Sequence, residues 1–221
     1  MGSFELPEDE ARHAIKVLRA RVGDSFQLID GRGGSADAEI VKVGQRNCVV
    51  EVSEILQTQA PSPNLAMLVS PTKQTERFEW FLEKAVEIGV DRIFPVWTTR
   101  SERKVEKHDR WLKVIVSAMK QSGRSWLPKL ERACSLDDAV KSVESPIYIA
   151  HCMESRKPHL LEAIKAGENA CIAIGPEGDF TREEVEFALN HGGVEISLGD
   201  SRLRTETAAI VATTYFRALQ K

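Results

Sequence analysis

Apolar and polar positions change rhythm once along this chain, and the change falls near residue 60. Residues 10–24 read as a short helix running into a turn, with apolar positions on one side. Residues 25–30, 37–43 and 47–55 then alternate apolar and polar side chains, the period of half-buried strands, and Asp30-Gly31 supplies a turn. The stretch TQAPSPN, 58–64, has no apolar period and carries two prolines, so it is the best linker candidate. Beyond it, continuous apolar runs alternate with helical periods. LAMLVS at 65–70 is a buried-type strand. The segment from Glu76 to Ile88 puts Phe78, Leu82, Ala85 and Val86 on one helical face, and Gly89 offers a C-cap. DRIFPV, PIYIA, ACIAIG and EISLG are further strands, and residues 109–122 are helical. Thr181-Arg182-Glu183-Glu184 is a capping box opening a helix that His191-Gly192-Gly193 ends. A last helix runs from Glu206 to Leu219. Five apolar strands alternating with helices imply an α/β domain with a mostly parallel sheet covered on both faces. The expected boundaries are 1–60 for a small strand-rich domain and 65–221 for the α/β domain.

Composition narrows the class without deciding it. The 221 residues are 42% hydrophobic and 29% charged, ordinary for a globular chain. No apolar run approaches the ~20 residues of a membrane span, and the first residues lack a secretory pattern. The four cysteines, at 48, 134, 152 and 171, form no CxxC pair. They read as reduced core thiols of a cytoplasmic protein, with no metal site. Net charge is −3, but residues 71–132 hold 14 basic and 9 acidic side chains between acidic flanks. Taken alone, that imbalance fits a solvated helical surface better than an anion-binding face.

Candidate chemistry follows from the rule that open α/β sheets bind ligands at the carboxyl ends of their strands. SPTKQTE, after the first α/β strand, has no glycine, so neither a dinucleotide fingerprint nor a phosphate loop is present. The unusual loops come late. Gly175-Pro176-Glu177-Gly178 follows one strand; as a lone string it describes an ordinary type I turn. Its glycines would also admit a flat ligand close to the backbone. Leu198-Gly199 repeats that logic one strand later. Leu203-Arg204-Thr205-Glu206-Thr207 then opens a helix, with Thr205 as the expected N-cap and Glu206 favoured by the helix dipole. Two such loops on neighbouring strands predict a shared pocket.

IAIGPEGDFTREEV followed by ISLGDSRLRTETAAI resembles the C-terminal signature of the RsmE family, the 16S rRNA uracil-N3 methyltransferases of the SPOUT superfamily. KAVEIGVDRIFPVWTTRSE, QSGRSWLP and HAIKVLRARVGD are similar to the family's other blocks, in family order across nearly the whole chain. The resemblance implies a PUA-like β-barrel over 1–60 and a SPOUT-type trefoil-knotted methyltransferase domain over 65–221. It implies S-adenosyl-L-methionine as cofactor, with no metal, and a homodimer acting on 16S rRNA or the small ribosomal subunit. The matching cofactor positions are Gly175, Pro176, Glu177, Gly178, Leu198, Gly199, Leu203, Arg204, Thr205, Glu206 and Thr207. Family members begin with an extra strand ahead of the first helix. Only MGSFELPEDE stands there, which leaves the barrel open to lacking that strand.

RNA contacts are expected from Arg12, His13, Lys16, Arg19 and Arg21. Arg12, Lys16 and Arg19 would share one helical face, and no acid interrupts residues 11–23. The bland reading is a solubilising surface. Arg100 heads a second basic group that would continue the track. For methyl transfer to uracil N3, a cation must stabilise charge on the base oxygens as the N3 proton leaves. Arg204 is the first candidate and Arg124 the second. Glu206 is either the proton acceptor or a helix-start carboxylate. The alternatives are an RNA-binding module without catalysis, a methyltransferase of another RNA, and a cofactor-binding enzyme of small molecules.

Overall fold

A computed structural model describes residues 2–220, in two compact units: residues 2–60 with 123–126, and residues 61–122 with 127–220.

In the first unit, β1 (Gly2–Glu5) leads into α1 (Glu8–Lys16), then β2 (Ser25–Ile29), β3 (Gly34–Val43), β4 (Cys48–Val52) and the two-residue β5 (Leu56–Gln57). The antiparallel sheet runs β1-β4-β3-β2, with β5 added to β3. The strand whose presence the sequence left open is therefore there: Gly2 to Glu5 pair with Val52 to Val49. Residues 34–40 of β3 alternate inward and outward, and Ala38 and Ile40 meet Leu6, Ala11, Cys48 and Val50 in a small core. The chain returns to this unit at 123–126. There the Gly33 amide donates to the Ser125 carbonyl, and the Trp126 indole N–H donates to Thr58 Oγ1 at 3.1 Å.

The second unit begins with β6 (Leu65–Val69), α2 (Thr75–Ile88), β7 (Arg92–Trp97) and α3 (His108–Gln121). Two short strands, β8 (Lys129–Leu130) and β9 (Cys134–Ser135), and the short α4 (Leu136–Ser142) follow. Then come β10 (Ile147–Ala150), α5 (Leu160–Ala163), β11 (Ala170–Ile174), α6 (Arg182–Asn190), β12 (Val194–Ile196) and α7 (Thr205–Leu219). The sheet order is β12-β10-β11-β6-β7-β8, and every pairing is parallel. The central β6 and β11 are buried at every residue, which is why their sequences are apolar runs and not alternations. Gly89 ends α2 at φ 128°, a conformation that disfavours any side chain. Arg217 of α7 donates to the Gly89 and Pro63 carbonyls and to Asp91, fastening that helix across the turn before β7.

Candidate functional site

Three adjacent parallel strands, β12, β10 and β11, end side by side, and their following loops enclose a cavity of about 750 Å³. The loop after β11 is Gly175 to Asp179. It turns sharply: Asp179 sits at φ 64°, and its amide donates to the Pro176 carbonyl. Gly175 is tightly packed, since an added Cβ would lie 3.1 Å from the Phe180 nitrogen and press on it. The loop after β12 brings Leu198 and Gly199 to the cavity, and Gly199 at φ 126° needs its missing side chain. Thr205 joins the two loops, because its hydroxyl donates to the Gly175 carbonyl at 3.0 Å.

Of the eleven residues predicted for the cofactor, Gly175, Pro176, Glu177, Leu198, Gly199, Leu203, Arg204 and Thr205 line this cavity. Gly178, Glu206 and Thr207 do not. Gly178 lies against Arg100, whose side chain would be 3.2 Å from an added Cβ and whose guanidinium donates to the Gly178 and Phe180 carbonyls. A side chain at 178 would thus press on Arg100. Glu206 and Thr207 face a second depression, with Glu76, Arg77 and Trp80; Arg204 borders both. Thr205 is not the N-cap either. Arg204 holds that position without a capping side chain, and Thr205 is the first helical residue.

No motif marks the third wall, the segment after β10. His151 is buried, its side chain only 1% exposed. Its Nε2 lies 2.8 Å from Glu195 Oε1 and its Nδ1 3.2 Å from Lys157 Nζ. Burial pushes the imidazole pKa down from 6.5, the neighbouring Lys157 ammonium adds to this, and the Glu195 hydrogen bond opposes it. The neutral ring then donates from Nε2 to Glu195 and accepts from Lys157 at Nδ1. Lys157 also donates to the His151 and Met153 carbonyls, both at 2.7 Å, and closes the wall as a loop. The Cys152 amide donates to Asp179 Oδ2, tying this wall to the Gly175 loop. These partners are 6 to 44 residues apart, too scattered for a sequence pattern to show. Cys152 itself is exposed and Cys134 half-buried, so only Cys48 and Cys171 are the core thiols expected of all four.

The lining suits a ligand with a flat apolar ring, hydroxyls and a positive centre. Ile174, Leu198, Leu203 and Ala208 give apolar surface, and Glu177, Asp179 and Asp200 give carboxylates. Among the described residues, no group of three or more His, Cys, Asp or Glu is placed to hold a metal ion. Among them, too, no helix is long and apolar enough to cross a membrane.

The expected RNA-contacting residues fall in different places. Arg12, His13 and Lys16 are exposed on α1 or its end. Arg19 is not on that helical face: α1 stops at Lys16, and Arg19 adopts φ 55° in the following turn. Arg21 lies in the same turn, where its amide donates to Asp24. Exposed Val17, Leu18 and Val22 interleave the basic residues. Arg100 belongs to the second unit, engaged with the Gly178 loop as above. Arg124, half-buried, belongs to the first unit, whereas every residue lining the cavity belongs to the second.

Comparison with known proteins converges. The RNA methyltransferase domain family matches residues 58–217, and the RNA methyltransferase PUA domain family matches residues 6–53. The ribosomal RNA small subunit methyltransferase E of Rickettsia conorii is 31% identical over 99% of this chain and 91% of its own length. A Porphyromonas gingivalis crystal structure, described as a probable rRNA-methyltransferase, superposes with a TM-score of 0.92 at 39% identity, covering 99% of this chain and 94% of that one. A ribosomal RNA small subunit methyltransferase E from Neisseria gonorrhoeae, bound to S-adenosylmethionine, has a TM-score of 0.89 at 28% identity, covering 99% and 92%. The chain, with its PUA-type first unit and its parallel-sheet second unit, belongs to the RNA methyltransferase family of the small-subunit methyltransferase E type.

Proposed function

We propose that this protein transfers a methyl group from S-adenosylmethionine to N3 of a uridine in 16S rRNA of the small ribosomal subunit. The observation that carries the reading is the cavity at the ends of β12, β10 and β11, with its loops already tied together by Thr205, Asp179 and Lys157. S-adenosylmethionine supplies a methyl group already activated on a sulfonium, so no metal is required. Leu198 and Leu203 would sandwich the ring system, and Asp179 and Asp200 would take hydroxyls or the positive centre. Gly175, Pro176, Glu177, Gly199 and Thr205 shape the cradle. Gly178 supports it through Arg100, and Glu206 and Thr207 act next door.

Arg204 borders the cavity and the neighbouring depression, where a guanidinium would stabilise charge developing on the uracil oxygens. Arg124 is the second candidate for that charge. Arg12, His13, Lys16, Arg19 and Arg21 would position the RNA by its phosphates. Domain limits near 60, the knotted path of SPOUT proteins, a homodimer and a cytoplasmic site of action belong to the same reading.

Paired titrations test it. S-adenosylmethionine and a small-subunit rRNA fragment should each bind. RNA binding without cofactor binding would leave an RNA-binding module, and cofactor binding without RNA binding would leave a small-molecule enzyme.

A further inference from the structure

Lys157 is a cation that lines the cofactor cavity, yet its ammonium is turned into the protein. An ammonium has three N–H donors, and three acceptors stand within reach of Lys157 Nζ. They are the His151 and Met153 carbonyls, both at 2.7 Å, and His151 Nδ1 at 3.2 Å. All three donors are spent on neighbours in the chain, and the side chain closes residues 151–157 into a loop.

That loop bridges the other two loops of the cavity. Near its start the Cys152 amide donates to Asp179 Oδ2, whose Oδ1 accepts from the Phe180 amide. Just past its end the Pro158 carbonyl accepts from the Ser197 amide, one residue before Leu198. Between them Ser155 Oγ donates to Glu195 Oε1 at 3.3 Å, the oxygen that also meets His151 Nε2 at 2.8 Å. His151, Cys152 and Lys157 of this loop line the cavity.

The closure depends on one protonation state. Nδ1 accepts from Lys157 only while it keeps a lone pair, and Nε2 needs a hydrogen to donate to Glu195. A single neutral tautomer meets both conditions. A second proton on the ring would go to Nδ1 and leave an N–H facing an ammonium 3.2 Å away. Burial of the ring and the Lys157 ammonium oppose that proton, while the Glu195 and Asp179 carboxylates favour it. Burial and Lys157 prevail, since the imidazole pKa is lowered from 6.5. The ring is charged only in acid.

We infer that His151 and Lys157 are a positioning pair for the cofactor: the neutral ring holds the lysine across the 151–157 loop, and a proton gained at Nδ1 releases the lysine, loosens the wall and weakens binding of S-adenosylmethionine. The inference rests on the methyltransferase reading above. It adds to that reading a lysine that shapes the site without touching the ligand, and an affinity that depends on one histidine proton.

Calorimetry with S-adenosylmethionine at about pH 7 and about pH 5 brackets the ring's titration. Wild-type affinity should fall in acid, by no more than about tenfold per pH unit, the limit for a single proton. His151→Asn keeps an acceptor beside Lys157 and cannot take the proton, so its own affinity should change little between the two values. Glu195→Gln removes a carboxylate that favours the imidazolium, so its fall should begin at lower pH than in wild type. A merely structural glutamate would give no such shift. Lys157→Met should bind several-fold more weakly. It should lose as much affinity for methylthioadenosine, which lacks the amino-acid part, because a wall and not a charge contact is gone. By reciprocity, an NMR titration of wild type should show His151 taking its proton at lower pH with cofactor bound than without. Three results overturn the inference while wild type still binds cofactor. One is an affinity that stays level in acid. Another is a His151 titration that the cofactor does not move, a measurement that stands even where a variant fails to fold. The third is a Lys157→Met protein weakened toward S-adenosylmethionine alone, which would make Lys157 a contact for the ligand's carboxylate. A wild-type protein that binds no S-adenosylmethionine at about pH 7 sinks the underlying reading instead.

Discussion

The Gly175–Asp179 loop and the 17–24 turn both follow regular elements, and they are built in opposite ways. The first is held from several sides: Arg100 donates to its Gly178 carbonyl, Thr205 to Gly175, and the Cys152 amide to Asp179. The second is held by backbone bonds, two of them between Gly23 or Asp24 and Ile40 of β3, and by the Arg21 amide donating to the Asp24 carboxylate; no side chain from a distant element clamps it among those bonds, and it leaves Val17, Leu18 and Val22 in solvent beside its cations. A loop fixed in advance binds a small rigid ligand without further ordering cost. An exposed basic turn suits a polyanion, where charge matters more than geometry.

The largest expected effect separates chemistry from binding. Arg204→Ala should lower single-turnover methyl transfer by about a hundredfold, while cofactor and RNA affinities change little. A drop in melting temperature with activity tracking the folded fraction would instead make Arg204 a structural residue. Next comes the preformed loop. Gly199→Val forces a branched residue to φ 126°, a strain of about 1–3 kcal/mol. Calorimetry should show cofactor affinity falling by about tenfold, one decade per 1.4 kcal/mol, with RNA affinity unchanged. Gly178→Val provides the contrast, since it should displace Arg100 and lower stability more than it blocks the ligand.

Smaller effects are expected from the exposed turn. Reversing the charge of Arg12 and Lys16 should weaken RNA binding only. The logarithmic salt dependence should flatten by about 0.7 for each single-strand phosphate that these cations no longer neutralise. An unchanged slope would mean that the α1 cations are merely solvated. The smallest effect concerns pH. His151 has its pKa lowered in the folded protein, so the unfolded chain binds the extra proton first. The stability due to neutral His151 is complete above the unfolded value of 6.5 and is lost as pH falls below it. Thermal melts of wild type and a His151→Gln variant should therefore diverge on the acid side of 6.5. Parallel curves would remove His151 from the wall's energetics.

Local patterns made much of this legible in the sequence. The Thr181–Glu184 capping box is complete, with Thr181 accepting from the Glu184 amide and Glu184 accepting in return. The apolar runs of β6 and β11 announce their burial. What escaped was non-local. Thr205 looks like an N-cap because its hydroxyl's partner, the Gly175 carbonyl, lies 30 residues earlier. The clamp of Arg100 on the Gly178 carbonyl joins residues 78 apart. The Lys157–His151–Glu195 wall spans two strand ends that only the sheet order brings together. Strands of two residues, such as β8 and β9, are too short to show a period.

The central claim is that the cavity delivers a methyl group to one uridine N3 of small-subunit rRNA. Purified protein, isotopically labelled S-adenosylmethionine and small ribosomal subunits lacking the modification, with chelator present, test it most directly. Nuclease mapping by mass spectrometry should place one labelled methyl on N3 of a single 16S uridine. Label on another base, on a ring carbon or ribose, or on no RNA at all would contradict it.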